Sequence, residues 1–264
     1  MAGELARTIP QVSEHATTTP EEVRHALRRA AFLTSGAGIA YGLLAIVGWY
    51  LLNEDRKGFA AADDPTAYYQ GGGFDGAAIA GLYLLPFAAI LFLWFVVALR
   101  GWIRGTRRRR NMLISDLQLV SGAVFTAIFL VGVAAIATPL LVMDADIEAI
   151  SLEHARLLAG YGNTMMDVMG VRIAAIFVIA TASLGVTTGV LPRWFSLASY
   201  AFGAILMIAP MVDQPLILAF PTWVIALSVI LLYHVLQLTE DQLPGFAERH
   251  LEGSSRGGVE GTED

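Results

Sequence analysis

Six stretches of this chain run for about the length of a membrane span with almost no charge, and no other feature limits its fold as strongly. They cover residues 31–52, 77–99, 113–141, 169–191, 195–212 and 216–238. The hydrocarbon core of a bilayer takes roughly 20 apolar helical residues to cross. Inside it every backbone polar group must be satisfied by the segment itself or by a closed barrel. The apolar runs here are continuous rather than alternating, so they predict helices. The expected fold class is therefore all-α: a polytopic membrane bundle of six transmembrane helices plus a short amphipathic surface helix. Residues 1–30 form a cytosolic tail with a short helix, 31–238 the membrane domain, and 239–264 an acidic tail. Composition agrees, with 56% hydrophobic and 15% charged residues, against about a quarter charged in soluble domains.

Orientation follows from the connector after the second run, which reads RGWIRGTRRRR. Arg100, Arg104, Arg107, Arg108, Arg109 and Arg110 sit within it. Short connectors rich in Arg and Lys stay in the cytosol. Alternation then places both termini there, together with the turn that holds Arg193. Thirteen of the 17 basic residues fall on that side, where they meet an anionic leaflet. The opposite connectors carry an acidic excess, which serves solubility or gathers cations.

Along the chain, residues 19–29 read as a helix running into the first span. Thr19 is the N-cap, Pro20 the first helical residue and Glu22 the capping-box acid. Arg28-Arg29 is followed by an apolar run too long for a cleaved signal. Gly36, Gly38, Gly42 and Gly48 give the first span a small-residue face suited to close packing. The first outer loop is expected from Asn53 to Gly76. Pro86 and Pro221 each lie in the outer half of a span and are expected to kink it. Asp116 and Gln118 open the third span near the cytosolic headgroups, with Asp116 paired to a connector arginine, and Pro139 marks its outer end. Residues 147–161 place Ile147, Ile150, Leu157, Leu158 and Tyr161 at helical spacing, with Glu148, Ser151 and His154 opposite. That pattern predicts an amphipathic helix on the outer surface.

The stretch TTGVLPRWFSLASYAFG resembles a recurring segment, R-T-G-V-L-P-R-W-L-x-W-x-G, of uncharacterised six-span integral membrane proteins of actinobacterial type. Thr187 stands where those proteins often carry Arg, and Ser199-Tyr200 where they often carry a Gly-containing pair. The resemblance covers about the C-terminal half. It implies six spans and a bacterial cytoplasmic membrane, and it implies no activity.

Several chemistries lack their residues. There is no cysteine, which excludes disulfides and thiolate sites. The one lysine, Lys57, lies in a loop, so a retinal Schiff base is excluded. His-Glu-x-x-His is missing, and His234 alone lies within a span, so neither a zinc protease nor bis-His haem is expected. No metal, cofactor or nucleic acid is expected. Asp75, Asn163, Asp167, Arg172, Asp213 and Gln214 lie near the outer face as candidates for a ligand or ion site, or for structural ion pairs. Asp167 and Arg172 are five apart, too far to share a face of an α-helix. Two functions remain. One is a structural, assembly or regulatory membrane subunit acting through a membrane-protein partner. The other is a transporter or channel for a small solute or ion with an outer polar site, for which broken helices are the usual sign. A water-accessible cavity reaching mid-membrane would favour the second, and a tight bundle the first.

Overall fold

A computed structural model of the chain describes residues 20–61, 76–104, 112–145, 151–208 and 214–236. These form seven α-helices and one π-turn: α1 (Pro20–Ala61), α2 (Gly76–Arg104), α3 (Met112–Ala145), α4 (Leu152–Thr164), the π-turn (Met165–Gly170), α5 (Val171–Thr188), α6 (Arg193–Ile208) and α7 (Gln214–Leu236). Four stretches are long and apolar enough to cross a membrane: Arg29–Leu52, Gly76–Gly101, Met112–Pro139 and Glu153–Thr188. Arg193–Ile208 and Leu218–His234 are shorter apolar helices.

The helix ends have local causes. α1 opens on Pro20 and continues to Ala61, past the expected loop start at Asn53. The intervening Glu, Asp, Arg, Lys and Ala residues contain no proline, and most favour helix. α3 likewise runs through Pro139 to Ala145. Ser151 caps α4, its hydroxyl accepting the His154 N–H at 3.3 Å. α5 stops at Gly189, which adopts φ 72° and donates its N–H to the Gly185 carbonyl at 3.0 Å. That left-handed position suits glycine. Pro192 then starts the return into α6.

The surface helix expected over residues 147–161 is not a separate element. Ile147 and Ile150 lie outside the described residues, and the helix that begins at Leu152 passes through the π-turn into α5. Leu157 and Tyr161, expected on a side that meets lipid or the bundle, are exposed on the bundle surface. The buried positions are Ala155, Gly162 and Met166. Small residues decide this: Gly162 and Gly132 bring α4 and α3 so close that a Cβ on Gly162 would lie 2.7 Å from the Gly132 carbonyl oxygen. Close backbone approach outweighs a loosely periodic row of larger side chains, because packing is what holds helices together in lipid.

The helices pack as a chain of neighbours. α1 lies against α2 and α7, α3 against α2, α4 and α5, and α6 against α5. The small-residue face of α1 serves two of these contacts. A Cβ on Gly38 would meet Ser228 and Phe95, one on Gly42 would meet Ile225, and one on Gly48 would meet Leu85. Gly36 faces open space. Phe92 of α2 is fully buried at the centre. Its ring lies 4.7 Å from Tyr41, 5.3 Å from Phe125, 5.4 Å from Phe177 and 5.6 Å from Phe220. One residue thus ties α2 to α1, α3, α5 and α7.

Candidate functional site

The proposed outer polar residues divide by position. Asp75 and Asp213 lie outside the described residues, and Gln214 is the first residue of α7. Asn163, Asp167 and Arg172 fall on one continuous helical stretch across the π-turn. Arg172 donates to the backbone carbonyls of Asp167, at 2.9 Å, and Val168, at 3.0 Å. The i, i+5 spacing that is wrong for an α-helix is the hydrogen-bond spacing of a π-helix. The guanidinium therefore folds back over the turn and satisfies its carbonyls. Its first task is structural: it holds open a backbone irregularity that hydrocarbon would otherwise penalise.

At the opposite end of the bundle Arg100 pairs with Asp116. Arg100 belongs to α2, which extends to Arg104, so the connector is shorter than its sequence indicated. Arg107 to Arg110 lie outside the described residues. Asp116 is half exposed, and such a pair contributes on the order of 1 kcal/mol or less. Arg193 opens α6 and is exposed. Gln118 departs from expectation. Placed by its sequence near the headgroups, it is 0% exposed, and neither amide atom has a hydrogen-bond partner among the described residues. One turn along α3, Gly122 abuts Val96 and Phe177. Gln118 is therefore turned into the bundle rather than toward lipid headgroups. Among the described residues no three His, Cys, Asp or Glu converge as a metal site.

Between these ends a cluster of aromatic rings fills the bundle centre. The aromatic cluster around Phe92 continues through Trp223, whose indole stacks between Phe195 and Phe220, with centroids 6.2 Å from each. The Trp223 N–H donates to Ser199 at 3.0 Å, tying α7 to α6. On the side of the cluster away from Arg100 lies an apolar cavity of about 40 Å³. The π-turn contributes Met166 and Gly170 to its wall, and α7 contributes Pro221. The helix continues through both Pro86 and Pro221. Pro221 supplies no N–H to the Ile217 carbonyl, and its own carbonyl lies against Gly42.

The cavity was missed from sequence because its lining is ordinary membrane-helix composition. The one usable signal was the Asp167–Arg172 spacing, which marks the π-turn. The described residues thus form an all-helical bundle with four helices long and apolar enough for a membrane. No protein-family model, no curated protein and no solved structure matches it.

Proposed function

We propose that this protein is a six-span membrane protein of the bacterial cytoplasmic membrane, with both termini in the cytosol. In this reading α6 and α7 complete the set of spans, consistent with the alternation of apolar runs and the arginine connector. The resemblance around the Leu191–Trp194 turn supports the same topology. Its role is that of a structural, assembly or regulatory subunit acting through a membrane-protein partner. The observation that carries this is the ring cluster on Phe92, which occupies the bundle centre where a solute path would need space. A transporter binds at mid-membrane between broken helices. Here the two irregular stretches, the π-turn and Pro221, border a small apolar cavity instead.

The test combines two measurements on the intact protein. Affinity capture from native membranes in mild detergent, quantified by mass spectrometry, is expected to recover one membrane protein at near-equal amount. Proteoliposomes are expected to hold ions and small solutes as tightly as protein-free vesicles. Saturable flux without a stoichiometric partner would replace this reading with transport.

A further inference from the structure

Three observations bear on the cavity beside the π-turn. First, it sits where most interhelical glycines are in tight contact, yet Gly170 is not. A Cβ there would meet nothing closer than 3.5 Å, with Ile128 at 3.6 Å and Phe125 at 4.0 Å. By contrast a Cβ on Gly132, Gly162 or Gly203 would come within 2.7 Å of a neighbour. Gly170 is buried all the same. A methyl group at Gly170 would therefore sit in ordinary van der Waals contact with this wall, and a larger side chain would have to displace it.

Second, two donors on the α1 wall have no acceptor among the described residues, and the occupant proposed below meets the one at Trp49. Tyr41 and Trp49 both line the cavity and are 1% and 5% exposed. Neither the Tyr41 hydroxyl nor the Trp49 indole N–H has a hydrogen-bond partner among the described residues. A buried donor left unmade is costly and calls for a specific explanation. Eight residues of helix separate the two, about 12 Å along the axis. Trp49 lies nearer the end of the span, where indoles meet the headgroup level, and Tyr41 lies deep. Third, the wall is completed by Leu206 of α6 and Leu218 of α7. α6 packs mainly on α5, and α7 mainly on α1. Among the described residues α6 and α7 approach each other less closely than either of those pairs, and the Trp223–Ser199 hydrogen bond links them nearer the other end.

We propose that this cavity binds an acyl chain through its carbonyl, the Trp49 N–H donating to the carbonyl oxygen and the chain lying toward Tyr41. Apart from the Tyr41 and Trp49 donors the lining side chains are apolar, so the lining suits an occupant that is mostly hydrocarbon with one acceptor. The volume of about 40 Å³ takes a short length of chain and no headgroup. Entry is by the α6–α7 seam, from the leaflet opposite the arginine connector. The carbonyl comes from a glycerolipid ester or from a free fatty acid. This site does not depend on the partner reading above.

The test uses the full chain in nanodiscs. One arm contains phosphatidylglycerol with a diazirine on one acyl chain, and the other contains a diazirine fatty acid in unlabelled lipid. Photolysis is expected to label Met166 or Leu206 in one arm, which identifies the source. Gly170→Leu directs a side chain toward Ile128 and Phe125 and is expected to cut that labelling at least five-fold. Labelling at Trp94, 70% exposed on α2, is expected to stay constant. Trp49→Phe, which keeps the ring and removes the donor, is expected to reduce it several-fold, while Tyr41→Phe leaves it unchanged. Equal labelling in Gly170→Leu and wild type, or no labelling of cavity residues in either arm, overturns the proposal. So does loss on Tyr41→Phe with none on Trp49→Phe, because the acceptor would then lie too deep for an ester.

Discussion

Gly81→Leu is expected to leave almost no folded protein. Gly81 lies where α2 crosses α1, the most extensive contact in the bundle. A Cβ there would sit 2.7 Å from the Gly48 carbonyl oxygen and 3.0 Å from the Leu52 backbone nitrogen. Both are backbone atoms of α1, so no rotamer change relieves the overlap and the helices must separate. Overpacking of flexible side chains costs about 1–3 kcal/mol. Here the strain falls on two backbones, and an added leucine carries it further, so the expected cost lies at or above the top of that range. Fluorescence-detected size-exclusion chromatography in mild detergent would show aggregate in place of the monodisperse peak. Gly36→Leu is the control. Nothing lies within 4 Å of a Cβ at Gly36, so its profile is expected to match wild type. A monodisperse, heat-stable Gly81→Leu protein would mean that α1 and α2 do not cross at this point.

Replacing Arg107, Arg108, Arg109 and Arg110 together by glutamine is expected to scramble insertion. Four consecutive charges spread around any helix axis, so they cannot form one recognition face. In the proposed topology they are expected to act by charge alone, at about 1 kcal/mol each near an anionic leaflet. Removing all four takes away several kcal/mol of orientation preference, enough to populate the inverted protein. Lysine retains the charge and loses only the guanidinium fork, so the four-lysine protein is expected to insert and accumulate like wild type. Orientation is read from protease protection of a tag on the C-terminus. A four-lysine protein that inserts correctly but fails to capture its partner would show that the fork itself is recognised.

The membrane class was legible because lipid imposes a simple demand: a spanning segment must be apolar along its whole length. The glycine face of α1 was legible for a related reason, since small residues are what let helices approach in lipid. Which large residues point inward was not. Phe92 and Trp94 are near neighbours of similar character, yet one is fully buried and the other 70% exposed. In a soluble helix the polar face would separate them; in lipid both faces are apolar, and periodicity carries little contrast. The same loss hid the cavity and the inward turn of Gln118. Residues 147–161 misled in the opposite direction. Their spacing was helical, but the Gly132–Gly162 approach lies on the packed face, and the helix from Leu152 continues through the π-turn instead of ending as a separate element. Of the six polar candidates, Asn163, Asp167 and Arg172 share one helical stretch. Their arrangement is explained by the π-turn, a backbone feature with no propensity signature of its own.

The native chain has no cysteine, so single cysteines report position without a background. The most direct test of the six-span bundle is reaction of two such proteins, Ala67→Cys and Ser255→Cys, with a membrane-impermeant maleimide in intact cells. In the proposed topology the cysteine at position 67 is expected to label at once and the one at position 255 only after the cells are permeabilised. Labelling of position 255 in intact cells, with position 67 protected, would contradict it.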